Sequence, residues 1–196
     1  MDTKYFSQWQ NLPVTVSKWQ DDWTEPYRKP RKKLAEQINK HCKTLLNVGC
    51  GIAANTEYYT ATYTGVDVTP KFAKEAHHKG TQIIIASGLN LPFKNESFDG
   101  VCCENLMVHM PPTAWQTLLK EMCRVSSKIV ALLENSWDWR ENSKTVYKIG
   151  EVYGANKFYL NRYSASEVRE LFESQGMTGS ALISKTEDWQ LTIYQK

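Results

Sequence analysis

The sequence predicts an α/β fold in which helices cover both faces of a mostly parallel, doubly wound sheet. One reason is the alternation, across residues 31–133, of short apolar runs with segments in which apolar residues recur at helical spacing. Another is that the first two strand-like runs stop abruptly, one before Gly49 and Gly51 and the next at Asp67. Strands joined through helices run parallel with right-handed crossovers, so both stops fall at one edge of the sheet.

Seven apolar runs are predicted to be strands. Five of them come first, at residues 44–48, 63–66, 83–86, 100–103 and 129–133. The last two, at 181–184 and 190–194, flank Thr186-Glu187-Asp188, which favours a hairpin at the end of the chain.

Helices are predicted where apolar residues recur three or four apart behind a capping signal. In chain order they are expected at 31–41, at about 53–60, at about 70–79, after Thr113-x-x-Gln116 and after Ser164-x-x-Glu167. The last two starts are capping boxes, in which the two polar side chains satisfy free N–H groups of the first turn. Pro30 suits the first turn of the first helix, Thr69 can cap the third, and Gly176 can close the last.

Length and composition indicate one domain over residues 1–196, expected in a reducing, cytoplasmic setting. No apolar run approaches the ~20 residues that span a bilayer, and the first residues lack a charged-then-apolar leader pattern. The five cysteines form no C-x-x-C pair, which argues against a metal site and a disulfide framework. We therefore expect no metal and no membrane partner, and the oligomeric state stays open.

The corner after the first strand suits a nucleoside cofactor. Gly49 and Gly51 permit positive φ and let a ligand approach the N–H groups of a helix start. Asp67, at the tip of the second strand, can accept both hydroxyls of a ribose. Because Gly49-x-Gly51-x-x-Ala54 also fits the dinucleotide fingerprint, these residues leave two cofactor classes open. Cys50 is read as a small residue in a crowded turn rather than as a nucleophile.

Ordered motifs within residues 45–125 resemble those of the class I S-adenosylmethionine-dependent methyltransferases, in particular the type 11 group. They are Asn47-Val-Gly-Cys-Gly51, Gly65-Val-Asp-Val-Thr-Pro70, Leu91-Pro-Phe93 with Ser97-Phe-Asp99, and Val108-His-Met-Pro111. Several motifs in order are more specific than two glycines, and they favour S-adenosylmethionine over a dinucleotide. The resemblance implies a Rossmann-like, seven-stranded sheet in which the terminal hairpin is antiparallel.

The resemblance also implies which residues hold the cofactor. Asn47, Gly49, Cys50 and Gly51 would surround its amino-acid part, and Asp67 would bind the ribose. Further cofactor contacts are expected from Val68, Ser87, Gly88, Leu89 and Glu104.

Three positions depart from the family pattern. The family usually has Asp at the position of Asn47, often Gly at that of Ala53, and an acid at that of Ser87. These departures keep a non-catalytic cofactor-binding subunit among the alternatives.

Two aromatic segments lie outside the predicted core, at residues 1–30 and 135–163. We interpret them as an N-terminal lid segment and a substrate-loop insertion between a cofactor-binding half, 31–134, and a terminal helix and hairpin, 164–196. The alternative is that their aromatic side chains only anchor long segments to the core. The substrate residues predicted from them are Trp23, Tyr27, Trp137 and Trp139, with Asn105 at the end of the fourth strand.

The candidate catalytic residues are Glu104 and His109, because a carboxylate or an imidazole beside the reacting methyl can accept a proton. A locally hydrogen-bonded histidine at a helix start is an equally good reading of His109. The sequence thus favours methyl transfer to a small molecule.

A basic stretch, residues 28–43, carries seven Lys or Arg against Glu36. It offers a route to RNA or protein substrates, although a solvated helix face is the commoner explanation of such a stretch. Nucleic acid is therefore possible but not favoured as a partner.

Overall fold

The computed structural model describes residues 9, 25–78, 80–135, 137–138, 144–147, 149–152, 156–185 and 189–196. Its helices are α1 (Glu25–His41), α2 (Pro70–His78), α3 (Trp115–Val125) and α4 (Ala165–Ser174). The strands of the main sheet are β1 (Thr44–Val48), β2 (Thr62–Asp67), β3 (Ile83–Ile85), β4 (Phe98–Glu104), β5 (Ser126–Glu134), β10 (Thr178–Lys185) and β11 (Gln190–Gln195).

These seven strands form one sheet in the order β10-β11-β5-β4-β1-β2-β3. The five strands from β1 to β5 run parallel, whereas β11 is antiparallel to both β5 and β10. The strand order reverses between β1 and β4, which places a crevice beyond their carboxyl ends. The predicted α/β class, the seven strands and the antiparallel terminal hairpin are confirmed.

The core is split between the two faces of the sheet because side chains alternate along a strand. Cys103 packs with α3 and α4 on one face, and Cys102 packs with Leu34 and Ile38 of α1 on the other. The side chains of Leu118 and Leu119 in α3 are fully buried, which stabilises the fold by about 2–3 kcal/mol for each. Helices on both faces thus fix the strand ends on which the crevice depends.

Three helix predictions need correction. The helix expected at 53–60 is a single 3-10 turn at Thr56–Tyr58, because Ala53 has φ +53°, outside the helical region. α1 begins at Glu25, six residues before the predicted start, with Pro30 inside it. Thr113 does not cap α3, which begins at Trp115 with no side-chain cap.

Thr69 does not cap α2 with its side chain, because its buried hydroxyl has no hydrogen-bond partner among the described residues. Three other helix signals are confirmed. Ser164 caps α4 by accepting a hydrogen bond from the N–H of Glu167 at 3.3 Å. Gly176, with φ +75°, follows the end of that helix. α2 begins at Pro70, as expected.

The segment 135–163 contains short strands that the sequence did not predict. β6 (Trp137–Asp138) pairs in parallel with β9 (Tyr163–Ser164), while β7 (Ile149–Val152) and β8 (Asn156–Tyr159) form an antiparallel pair. These four short strands pair with one another and not with strands of the main sheet. The segment is therefore an insertion that follows the end of β5.

Within the described residues, no helix has the length and apolar character needed to cross a bilayer. The same residues hold no cluster of His, Cys, Asp or Glu suited to a metal ion.

Candidate functional site

A cavity opens at the carboxyl ends of β1, β2 and β4, and its empty space, together with the open solvent at its mouth, amounts to about 910 Å³. It brings together ten of the predicted site residues, namely Gly49, Gly51, Asp67, Val68, Ser87, Gly88, Leu89, Glu104, Asn105 and His109.

The glycine turn forms the floor of the cavity. Gly49 and Gly51 both have positive φ, +69° and +57°, a conformation that costs an L side chain about 1–2 kcal/mol. A Cβ on Gly49 would also lie 2.7 Å from Cδ1 of Leu106. Glycine is therefore favoured at position 49 by the backbone angle, and any larger residue would also have to displace the side chain of Leu106.

Asp67 connects the glycine turn to the second strand. Its carboxylate accepts the N–H of Gly51 at 2.9 Å and the N–H of Thr69 at 2.9 Å. Burial raises the pKa of this carboxyl, and the two backbone hydrogen bonds oppose that rise. Each carboxylate oxygen has a second lone pair, so Asp67 can bind a diol while it holds the turn.

Glu104 ends β4 and forms a buried ion pair with Arg31 of α1, with Nε and Oε2 2.6 Å apart. Its other oxygen, Oε1, accepts hydrogen bonds from the side-chain amides of Asn47 and Asn55. The carboxylate therefore links a helix, the end of β1 and the loop after the glycine turn. Glu104 lines the cavity, whereas Asn47 lies behind it.

His109 lies in a 3-10 turn, Met107–His109, whose three residues are buried. Its Nδ1 is 2.9 Å from the backbone oxygen of Tyr159, and a carbonyl can only accept, so the proton resides on Nδ1. Burial lowers the pKa of the imidazole to about 4. The ring is thus neutral near pH 7, consistent with both sequence readings of this residue.

An aromatic wall, made by Trp9, His109 and Phe158, stands beside the cavity. The ring centroids of Trp9 and His109 are 5.2 Å apart, and those of Trp9 and Phe158 are 4.6 Å apart. Trp9 and His109 line the cavity directly. Two aromatic rings, inclined at 62° to each other, therefore bound part of the ligand space.

Glu134 is a buried acid that the sequence did not single out. It ends β5, and its carboxylate accepts the N–H groups of Leu106, Met107 and Val108 at 2.9, 3.0 and 3.4 Å. Burial raises the pKa of this carboxyl to about 7 against those hydrogen bonds. The loop that carries Leu106 and His109 into the cavity is thus held from behind by Glu134. An acid directly after the apolar run at residues 129–133 was the available signal.

The remaining predicted residues divide into two groups. Cys50 is buried in the turn without lining the cavity, and burial raises the pKa of its thiol well above the usual value, in keeping with a packing role. Trp23 and Trp139 lie outside the described residues, as do the side chains of Tyr27 and Trp137.

Several cavity residues were not predicted as site residues. They are Trp9, Thr69, Phe72, Leu106, Met110 and Leu118, together with three small or aliphatic residues of the strand ends. Trp9 belongs to the aromatic N-terminal segment that the sequence proposed as a lid. The others lie in a strand, in the loop after a strand, or on α2 or α3, and all but Thr69 have apolar side chains that are indistinguishable in sequence from core residues.

The structure shows the local role of two residues that depart from the family pattern. Ala53 adopts φ +53°, the conformation that glycine, often found there in the family, takes without strain. The hydroxyl of Ser87 accepts the N–H of Leu89 at 3.2 Å, so it shapes the turn that lines the cavity.

A family model described as a methyltransferase domain matches residues 46–129. An uncharacterized protein of Methanocaldococcus jannaschii is 35% identical over 161 residues, which are 81% of this chain and 75% of that protein. A phthiotriol/phenolphthiotriol dimycocerosates methyltransferase of Mycobacterium leprae is 37% identical over 78 residues, 35% of this chain. The match spans only 29% of the Mycobacterium protein's length.

The fold has close counterparts among solved structures. The magnesium protoporphyrin IX methyltransferase of Synechocystis, solved with bound S-adenosylmethionine, has a TM-score of 0.66 at 12% identity. The match covers 100% of this chain and 98% of that one. Sequence motifs, sheet order, the cavity at the strand ends and these similarities agree, and the chain belongs to the class I S-adenosylmethionine-dependent methyltransferases.

Proposed function

We propose that this chain binds S-adenosylmethionine in the cavity and catalyses transfer of its methyl group to a small-molecule acceptor. The observation that carries the proposal is the joint position of Gly51 and Asp67, which share a hydrogen bond at the floor of a cavity with an aromatic wall. The donor set fits the cofactor: a carboxylate for a ribose, a glycine turn for close approach, and Val68 and Leu89 for a flat base.

The bound cofactor would supply an already activated sulfonium methyl. The work left to the protein is to align the acceptor with that methyl and to exclude water. The wall formed by the partly buried Trp9 and the buried His109 suits both tasks, since the indole is largely apolar and the imidazole is neutral near pH 7. We assign His109 to orienting the acceptor, because a base of pKa about 4 holds a proton weakly.

Similar proteins are named for both small and large acceptors. The Synechocystis and Mycobacterium proteins are named as methyltransferases of magnesium protoporphyrin IX and of phthiotriol/phenolphthiotriol dimycocerosates, whereas a relative from Mus musculus is named as a probable tRNA methyltransferase. A methyl-transfer screen of this protein over metabolite and RNA pools, read by mass, identifies the acceptor class.

Replacement of Asp67 by Ala tests the cofactor site. We expect S-adenosylmethionine to bind about 2–3 kcal/mol more weakly, because two charge-assisted bonds to the ribose are lost. Isothermal calorimetry on both proteins measures this. Asp99→Ala is the matched control: this carboxylate also accepts a backbone N–H, from Lys43 at 2.7 Å, but it lies near the start of β4, at the end away from the cavity. Unchanged affinity in Asp67→Ala, or tighter binding of NAD by the wild type, would refute the cofactor assignment.

A second candidate function, methylation of RNA, is favoured by the exposed face of α1. Lys29, Lys32 and Lys40 are exposed on it, and Glu36 is the acid among them. The buried side of the same helix carries Arg31, which contacts the cavity residue Glu104. A polyanion lying along this face would thus approach the mouth of the cavity.

Changing Lys29, Lys32 and Lys33 to Gln separates the two functions. If the face is only solvated, turnover on a small acceptor should stay within about twofold of wild type, since exposed charges are screened. Steady-state assays at low and high salt measure this. The matched control changes three lysines elsewhere, Lys74, Lys94 and Lys120. A steep, salt-dependent loss confined to the α1 variant would favour the RNA function.

A further inference from the structure

Glu104 is contacted by four donors from three separate segments of the chain. Arg31 Nε donates to Oε2 at 2.6 Å, and Asn47 Nδ2 donates to Oε1 at 3.2 Å. The amide of Asn55 also donates to Oε1, and the hydroxyl of Tyr59 lies 3.5 Å from it. The side chain of Glu104 is only 6% exposed. Its position is therefore fixed by neighbours rather than by solvent.

This arrangement saturates one oxygen of the carboxylate. Each carboxylate oxygen has about two lone-pair sites, and Oε1 already faces three donors, from Asn47, Asn55 and Tyr59. The other oxygen, Oε2, is held in the ion pair with Arg31. These are the contacts of an anchored side chain, and they favour a positioning role for Glu104.

The side chain at position 47 is a neutral amide, so it contacts the Glu104 carboxylate without adding a second negative charge. Asn47 is 1% exposed and its Nδ2 donates to Glu104. A carboxylate at that position would place a second negative charge at about the same distance from Oε1. The ion pair with Arg31 neutralises one charge, and two buried carboxylates in contact cannot both remain ionised without a large cost.

We propose that Glu104 is a positioning residue for the glycine turn that would hold the cofactor, and that the negative charge of Glu104 requires a neutral side chain at position 47. Through Asn47 and Asn55 it holds both flanks of the glycine turn, Gly49–Gly51, in their binding conformation. This role rests on the cofactor assignment proposed above. It also accounts for the amide that stands in place of the acid usual in the family motif.

Three variants test the proposal: Asn47→Asp, Glu104→Gln and the double variant. For Asn47→Asp at pH 8 we expect the Kd for S-adenosylhomocysteine, measured by calorimetry, to rise about tenfold or more. The double variant has again one carboxylate and one amide, and it should recover about fivefold or more of that loss. Asn47→Leu, which removes the amide without adding charge, is the control and should weaken binding less than Asn47→Asp.

The pH dependence supplies a readout that a general structural defect would not move. As the pH falls from 8 to 5.5, one of two adjacent carboxylates takes up a proton. The ratio of the Asn47→Asp Kd to the wild-type Kd should therefore shrink to about threefold or less. A ratio that is constant with pH, a double variant no better than Asn47→Asp, or wild-type affinity in Asn47→Asp would each overturn the proposal.

Thermal unfolding without ligand keeps this test separate from the cofactor assignment. We expect the Tm of Asn47→Asp at pH 8 to fall by about 5–10 °C and to recover in the double variant. If the wild type binds no S-adenosylhomocysteine, the proposed function fails while the Tm series still decides the charge arrangement. Equal Tm values across the series would overturn the charge arrangement in either case.

Discussion

Replacement of Arg31 by Leu is expected to lower the free energy of unfolding by about 3–5 kcal/mol. The reason is the state of its partner: the side chains of Arg31 and Glu104 are 8% and 6% exposed, so the variant leaves a buried carboxylate without its cation. Urea denaturation at pH 7 measures the loss. Arg31 also lies over the ring of Trp189, 5.8 Å from its centroid, and that packing contributes a smaller part.

The double variant Arg31→Leu with Glu104→Leu distinguishes an unpaired charge from lost packing. Exchange of a whole buried ion pair for apolar side chains is often close to neutral. The double variant should therefore be more stable than Arg31→Leu alone, although its glycine turn loses the carboxylate that anchors it. A loss below about 1 kcal/mol for Arg31→Leu would show that solvent reaches Glu104 and that the pair is not buried in solution.

The second large effect is a pH dependence set by Glu134. Its folded-state pKa is about 7, above its usual value of 4.5, so the folded protein holds a proton that the unfolded chain releases. The resulting stability is fully present below pH 4.5 and is lost as the pH rises through about 7. Integrated over that interval, the loss amounts to about 3 kcal/mol.

Glu134→Gln is the variant that isolates this contribution. An amide can still accept the N–H groups of Leu106 and Met107, as the protonated carboxyl does, but it does not titrate. We expect wild type and variant to unfold with similar free energies below pH 4.5, and the wild type to become progressively less stable than the variant up to pH 8. Urea denaturation at several pH values gives both curves.

The comparison with a variant is needed because His109 acts in the opposite direction. Its folded-state pKa is lowered to about 4, so its contribution is present above pH 6.5 and is lost as the pH falls toward 4. His109 is the same in both proteins, and its effect cancels in their difference. A difference that does not change with pH would mean that Glu134 is ionised throughout and that its three hydrogen bonds outweigh its burial.

Much of the fold follows from local patterns. A run such as Leu45–Val48 is buried at every position, and apolar at all but Asn47, because both faces of a parallel sheet are covered by helices. The glycines after this run and Asp67 at the end of the next strand mark the carboxyl ends of the strands. The position of the glycine turn therefore became predictable once the strands had been predicted. The elements that were wrong, such as the helix at 53–60, depend on backbone angles that composition does not reveal.

The candidate site was predictable where a residue follows directly on a strand. Gly51, Asp67 and Leu89 were placed correctly in the cavity because the topology brings all strand ends of the parallel sheet to one edge. Leu106 and Met110 were missed, since an apolar side chain that lines a cavity reads in sequence like one that fills a core. Trp9 was suggested only as part of a segment, because nothing local fixes where an N-terminal segment folds.

The sequence by itself determined the family, the order of strands and helices, and the residues at the floor of the cavity. These depend on short-range patterns, such as the two glycines and the acid sixteen residues beyond Gly51. Only the tertiary structure decided the chemical state of the carboxylates. Arg31 donates a hydrogen bond to Glu104, which is 73 residues away in the sequence, and Glu134 accepts one from Met107, which is 27 residues away. A carboxyl side chain can serve as a general base, anchor its neighbours or titrate near neutral pH. Which of these it does depends on its burial and on hydrogen-bond donors from distant parts of the chain, and no local sequence pattern specifies either.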